Sequence, residues 1–107
     1  MNGGFTVRYT DAARNDLVEL FDFLLGAAES IEDFDHAQLA IDTLRDEIEQ
    51  RLARAPFLYR KSSAGSAFQR ELIIPFRGRG YVALYDIENA ETVTILAVRH
   101  QREDDYH

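Results

Sequence analysis

Three runs in the last third of the chain decide its fold: Arg70-Glu71-Leu72-Ile73-Ile74, Tyr81-Val82-Ala83-Leu84-Tyr85 and Thr92-Val93-Thr94-Ile95-Leu96-Ala97-Val98. Each run is rich in β-branched or aromatic residues, and short polar breaks separate them, which is typical of consecutive antiparallel strands. Gly78 and Gly80 predict a turn in the first break. These runs therefore predict a small antiparallel sheet.

Two amphipathic helices precede these strands. Thr10 or Asp11 is expected to cap the first helix, and Pro56 cannot continue the second. The first helix has apolar residues at helical spacing, namely Leu17, Leu20, Phe21, Leu24, Leu25 and Ala28. The second has one continuous apolar stripe, namely Phe34, Ala37, Ile41, Leu44, Ile48, Leu52 and Ala55. Two such helices with a short connection predict an antiparallel hairpin that covers one face of the sheet.

The remaining segments complete the order of elements. Phe5–Tyr9 alternates between apolar and polar residues and predicts a short first strand. Residues 57–68 contain small and polar residues and predict a loop. Pro75 is expected to end the strand at about 69–74 or to mark a bulge. The sequence thus predicts an α+β fold of order β-α-α-β-β-β, with an N-terminal helical hairpin packed on a small antiparallel sheet.

Length and composition limit the possible classes of protein. At 107 residues the chain is expected to form one domain spanning residues 1–107. It has no cysteine, which excludes disulfides, thiolate nucleophiles and cysteine metal sites. The N-terminus lacks the apolar core of a signal peptide, and no apolar run is long enough to cross a bilayer. We therefore expect a cytoplasmic protein with no membrane association.

The net charge of −7 conceals a strong segregation of charge along the chain. Residues 1–50 carry a balance of −9, whereas residues 51–102 carry +5. The tail Glu103-Asp104-Asp105 then adds −3. A protein with opposite halves can present a positive face to a partner despite its low overall pI. The alternative interpretation is a helical surface that is simply acidic and well solvated.

Positive charge is densest at the end of the last predicted strand, where the sequence reads Arg99-His100-Gln101-Arg102. Such a dense polar cluster is costly to bury, so we expect it to face a partner or substrate. Arg77 and Arg79 flank Gly78 in a turn, and such a pair can clamp phosphates or carboxylates. Ordinary solvation of the arginines and a backbone hydrogen bond from His100 are the alternatives. The predicted target-binding residues are Arg77, Arg79, Arg99, His100, Gln101 and Arg102.

Patterns for other kinds of site are missing from the sequence. His36 and His107 are isolated, and no set of histidines or carboxylates has the spacing of metal ligands. No phosphate-binding glycine loop is present, and the serines lack the context of a nucleophile elbow. Tyr81 and Tyr85 are spaced to share one strand face, which favours core packing. We therefore expect no cofactor and no metal.

Five segments carry a resemblance that covers nearly the whole chain. They are Thr10-Asp11-Ala12-Ala13-Arg14-Asn15-Asp16-Leu17, Leu52-Ala53-Arg54-Ala55-Pro56, Arg70-Glu71-Leu72, Gly80-Tyr81-Val82-Ala83-Leu84-Tyr85 and Ile95-Leu96-Ala97-Val98-Arg99-His100-Gln101-Arg102-Glu103. In this order they resemble the RelE/ParE superfamily of type II toxin–antitoxin toxins, most closely its ParE branch. The resemblance implies a first strand that pairs with the strand at about 69–74 or lies at the sheet edge.

The ParE branch implies a toxin that inhibits DNA gyrase, contributes to plasmid stabilisation and is neutralised by a ParD-like antitoxin in a heteromeric complex. No direct binding to nucleic acid is then expected. The alternative is a ribosome-dependent endoribonuclease of RelE type, for which His100, Tyr106, Arg70 and Arg99 would be the catalytic set. A non-toxic, protein-binding member of the superfamily is the third possibility. Lys61 is the only lysine, whereas RelE-like nucleases rely on lysines and arginines on a basic surface.

Overall fold

The computed structural model describes residues 4–62, 68–76 and 78–100, which form a helical hairpin on one face of a five-stranded sheet. The predicted α+β architecture is confirmed. The elements are β1 (Thr6–Tyr9), α1 (Asp11–Gly26), α2 (Ile31–Arg54), a short 3-10 turn (Pro56–Leu58), β2 (Arg60–Lys61), β3 (Gln69–Phe76), β4 (Arg79–Ile87) and β5 (Thr92–His100).

The sheet is mixed, with strand order β1-β5-β4-β3-β2. β3, β4 and β5 pair antiparallel, as predicted, and β2 adds a further antiparallel strand that was not predicted. β4 lies at the centre. β1 lies at one edge and runs parallel to β5, with Val7 opposite Val93 and Tyr9 opposite Ile95. The expectation of a wholly antiparallel sheet was therefore wrong for β1, since that strand is separated from the others by the whole helical hairpin and is not joined to β5 by a turn.

Side-chain caps fix the starts of both helices. The Thr10 hydroxyl accepts a hydrogen bond from the Ala13 amide at 3.0 Å, and the Ser30 hydroxyl accepts one from the Asp33 amide at 3.1 Å. These bonds satisfy amides that have no partner within their helix. Phe34 was predicted to belong to the buried stripe of α2, but its side chain is 55 % exposed. Phe34 lies in the first turn of α2, and burial along this helix begins only at Ala37.

The core lies between the hairpin and the sheet. Leu44, Ile48 and Leu52 of α2 are fully buried, and Leu17 of α1 is nearly so. The sheet contributes a matching apolar surface, namely Leu72, Ile74, Tyr81, Ala83, Tyr85, Ile87, Val93, Ile95 and Val98. The prediction that the two tyrosines of β4 serve the core is confirmed.

The segment predicted as a loop at 57–68 contains regular structure. Pro56 begins the 3-10 turn and β2 follows, with Lys61 opposite Arg70 on β3. β3 also continues past Pro75 to Phe76. β2 is too short to reach Pro75, so at that point β3 is an outer strand, where a missing amide hydrogen removes no ladder bond.

The Tyr85 hydroxyl ties the sheet to the end of α2, because it donates a 2.6 Å hydrogen bond to the buried Pro56 carbonyl. We expect Tyr85→Phe to lower the free energy of unfolding by about 1–3 kcal/mol at pH 8, since that carbonyl would lose its partner. Burial raises the pKa of Tyr85 above its ordinary value. The folded state therefore keeps a proton that the unfolded chain releases near pH 10, and this stabilisation is lost as the pH rises further.

Urea unfolding of both proteins at pH 8 and above pH 10 checks this prediction. The stability difference between wild type and Tyr85→Phe should narrow at the higher pH, because phenylalanine has no proton to release. A difference that stays constant or widens would contradict the assigned role of this hydroxyl.

Candidate functional site

The structure describes four of the predicted site residues: Arg70, Arg79, Arg99 and His100. The other four, Arg77, Gln101, Arg102 and Tyr106, lie outside the described residues. The described four occupy three strands of one sheet. Their side chains lie on different faces and at different ends of that sheet, so they form no single cluster.

A β-bulge in β5 determines where Arg99 and His100 lie. Leu84 pairs with Ala97, whereas Tyr85 pairs with Ile95, so Leu96 is an extra residue in β5. Before the bulge Val93 and Ile95 point into the core, and after it the core position is Val98. Because side chains alternate along a strand, Arg99 lies on the face opposite the helices, and His100 lies on the helical face.

The two side chains accordingly have different surroundings. Arg99 is exposed, and its register partner on β4 is Val82. The sheet face to which Arg99 belongs, opposite the helices, is called the open face below, and the exposed Arg8 of β1 shares it. The His100 ring packs edge-on against Tyr81, with ring centroids 5.2 Å apart.

Arg79 lies at a groove between the turn that joins α1 to α2 and the start of β4. This groove, the hairpin groove, has a cavity volume of about 410 Å³. It is lined by Phe23, Leu24, Ala27, Ala28, Asp33, His36, Ala37, Ala40, Phe76, Arg79 and Tyr81. Two of its alanines belong to the connection between the helices and two to α2, and they leave space that larger side chains would fill. Burial raises the pKa of Tyr81 above its ordinary value, and the exposed Arg79 at this groove offsets only part of that increase.

Apolar side chains are exposed around the same end of the hairpin. Phe23 lines the groove and is 64 % exposed, while Ile31 at the start of α2 is 82 % exposed. Neither Phe23 nor the groove was among the site residues predicted from the sequence. The sequence nevertheless indicates an exposed aromatic side chain there, because Phe23 is large and apolar but lies outside the apolar stripe of α1.

Arg70 lies at the opposite end of the sheet from His100, and its side chain is held by contacts within the fold. Its guanidinium donates a 2.7 Å hydrogen bond to the Tyr59 carbonyl and lies over the Phe57 ring. Arg70 pairs with Tyr85, whereas His100 pairs with Tyr81. Four residues along β4 separate the two, roughly 13 Å at the rise of a strand. With Arg99 on the other face, the structure does not bring together the three described members of the nuclease set.

The charge segregation seen in the sequence becomes a segregation between layers. Helices α1 and α2 together carry eleven acidic and four basic residues. The five strands carry six basic and two acidic residues. The sheet is therefore the basic layer and the hairpin the acidic one. Arg60, one of the six, is already paired with Glu71 at 2.8 Å.

Membrane-spanning helices and clustered metal ligands are both missing from the described ranges. Neither described helix combines the length and apolarity needed to span a membrane. Within residues 4–62, 68–76 and 78–100, no three histidine or carboxylate side chains are grouped as metal ligands would be.

Comparisons with known proteins agree with this architecture. The family model for the ParE toxin of type II toxin–antitoxin systems, parDE, matches residues 7–105. The solved structure of a chromosomal ParDE toxin–antitoxin system from P. aeruginosa superimposes with a TM-score of 0.71 at 13% sequence identity, covering 92% of this chain and 98% of that one. The search of curated proteins finds no match. Because the family model spans nearly the whole sequence, the chain belongs to the ParE toxin family of type II toxin–antitoxin systems.

Proposed function

We propose that this chain acts as a toxin by inhibiting DNA gyrase, without cleaving RNA, and that a ParD-like antitoxin neutralises it. Membership of the ParE toxin family is the observation that carries the proposal. The geometry of the described residues supports both parts: the positions of the arginines favour a binding surface over a nuclease centre, and the hairpin groove suits a partner segment.

Positions of the basic residues argue against ribosome-dependent cleavage. Attack by a 2′-hydroxyl needs a base, an acid and cations around one phosphate. Arg70 is held by the Tyr59 carbonyl, and Arg99 lies on the open face, away from His100. The net charge of −7 also disfavours docking onto ribosomal RNA, because phosphate contacts dominate that affinity.

The end of β5 is the surface that we assign to gyrase. Arg99 is exposed there, and Gln101 and Arg102 follow it in the sequence. Arginine forms bidentate, charge-assisted hydrogen bonds with carboxylates, so such a surface recognises acidic groups on a protein. We also include Arg77 and Arg79, from the turn predicted before β4, in the proposed target-binding set; Arg79 lines the hairpin groove as well, so in this proposal gyrase and the antitoxin compete for it.

The hairpin groove is the surface that we assign to the antitoxin. A groove lined by alanines and flanked by an exposed phenylalanine accepts the apolar face of an amphipathic helix. Arg79 has no ion pair with any residue in the described ranges, so an acidic residue of the partner can pair with it. The partner we propose is therefore an amphipathic segment with large apolar side chains and at least one carboxylate.

Expression of the chain in bacteria, alone and together with its neighbouring gene, tests the proposal. We expect growth arrest with the chain alone and normal growth when the neighbour is also expressed. Relaxed plasmid DNA in the arrested cells is expected if gyrase is the target. Cuts in messenger RNA at ribosomal sites, with normal supercoiling, would instead assign the chain to the RelE-type alternative, and His100 and Tyr106 would be mutated next.

A further inference from the structure

The motif at the start of α1 contacts the last strand through three hydrogen bonds. The Thr10 amide donates to the Ile95 carbonyl at 3.0 Å, and the Thr10 hydroxyl donates to the Leu96 carbonyl at 3.3 Å. Six residues further along the chain, in α1, the Asp16 carboxylate accepts a hydrogen bond from the Val98 amide at 2.9 Å. The first bond comes from the Thr10 backbone and does not depend on its side chain. We call the two side-chain bonds, from the Thr10 hydroxyl to Leu96 and from the Val98 amide to Asp16, the clasp.

The clasp lies at the β-bulge. Leu96 is the extra residue of β5, and the three bonded backbone groups belong to Ile95, Leu96 and Val98. A bulge disrupts the regular ladder, and buried backbone groups need other partners. β1 supplies none beyond Ile95, because its pairing with β5 ends at Tyr9. The start of α1 thus replaces the missing strand along this part of β5.

The bulge also decides which face Arg99 and His100 occupy. A shift of one residue moves every following side chain of a strand to the opposite face. Without Leu96 as an extra residue, Arg99 would point at the helices and His100 would lie on the open face. The clasp is therefore the set of contacts that can hold Arg99 on the open face and the His100 ring against Tyr81.

We propose that Thr10 and Asp16 are positioning residues, which hold the bulge of β5 and so present Arg99 on the open face for target binding. This inference rests on the proposed function for its effect on gyrase, but the clasp itself is tested by measurements that need no target. Loss of either side chain releases the bulge, and β5 beyond Ile95 then populates the register without it.

Asp16→Ala and Thr10→Ala test the proposal, with Asp16→Asn and Thr10→Ser as conservative variants that keep an acceptor oxygen and a hydroxyl. Glu19→Ala on the same helix is the matched control, because among the described residues the Glu19 carboxylate accepts one side-chain hydrogen bond, from Asn15 at 3.0 Å. Hydrogen exchange measured by NMR reports whether the Val98 amide keeps its hydrogen bond. The contact between the His100 and Tyr81 rings reports whether His100 still lies on the helical face of the sheet.

In Asp16→Ala we expect the Val98 amide to exchange roughly tenfold to a hundredfold faster, as loss of a hydrogen bond to a charged group implies. The contact between the two rings should weaken, and the concentration that inhibits gyrase should rise about tenfold per folded molecule. The folded fraction is counted by titration with antitoxin. Asp16→Asn and Thr10→Ser should largely restore all three readouts, and Glu19→Ala should leave them unchanged.

Unchanged exchange at Val98 together with an intact ring contact in Asp16→Ala would overturn the clasp. The proposal would also be overturned if Asp16→Ala lowered the thermal stability but each folded molecule still inhibited gyrase fully. Asp16 would then have a merely structural role. If the alanine variants do not fold, Asp16→Asn must still show a small increase in Val98 exchange, because a neutral acceptor replaces the charged one, and the absence of that increase would also refute the clasp. Failure of the wild-type protein to inhibit gyrase would refute the proposed function. The two NMR readouts need no gyrase, so they would still test whether the clasp holds the bulge.

Discussion

Arg99→Ala combined with Arg102→Ala is expected to raise the toxin concentration that half-inhibits gyrase supercoiling about a hundredfold or more. Charge-assisted contacts of arginine contribute about 1.5–3 kcal/mol each, and two of them would be lost. Arg99 is exposed, and among the described residues it takes part in the sheet through its backbone pairing with Val82, so truncation of its side chain should leave the fold intact. Supercoiling of a relaxed plasmid by purified gyrase measures the effect.

A variant with the same loss of charge elsewhere is the control. Arg14→Ala with Arg54→Ala removes two exposed arginines from the acidic helical layer and should change inhibition by less than about threefold, as expected for surface sites away from the contact. Equal losses in the two double variants would mean that overall charge, and not the end of β5, governs inhibition. Antitoxin affinity should be unchanged in both.

Phe23→Ala is expected to weaken antitoxin binding by about tenfold to a hundredfold. An aromatic side chain buried at the centre of an interface typically contributes about 2 kcal/mol or more. In the free chain Phe23 is 64 % exposed, so the substitution removes little from the core and should cost the fold less than about 0.5 kcal/mol. Isothermal titration calorimetry with the purified antitoxin measures the change.

Val18→Ala is the matched control for this experiment. Val18 lies on the same helix and is 56 % exposed, but it does not line the hairpin groove. Its substitution should leave antitoxin affinity within about threefold of wild type, as expected outside a hot spot. A larger loss for Val18→Ala than for Phe23→Ala would place the antitoxin on another face of α1 and refute the assignment of the groove.

The sequence predicts the elements of the fold well, because periodicity records which face of each element is buried. The stripe of α2 from Ala37 to Leu52 is buried as predicted, and so are Tyr81 and Tyr85. The parallel pairing of β1 was missed, since alternation in a single strand contains no information about the direction of its neighbour. β2 was missed because two exposed charged residues resemble a loop in composition.

The arrangement of the site was less predictable, and the reason lies in β5. From Val93 to Val98 the strand is apolar on both faces apart from Thr94, so its sequence shows no break in alternation at Leu96. The bulge places Arg99 and His100 on opposite faces, although the sequence presents them as one cluster. The hairpin groove is also a tertiary feature, since it joins the end of α1 to the start of β4, some fifty residues apart in the chain.

The most direct test of the account is a supercoiling assay with purified gyrase and the purified chain, run beside toeprinting on translating ribosomes. We predict that the chain inhibits supercoiling, that the cognate antitoxin restores it, and that the messenger RNA remains uncut. Normal supercoiling at saturating toxin, with cuts in the messenger RNA on the ribosome, would contradict the account.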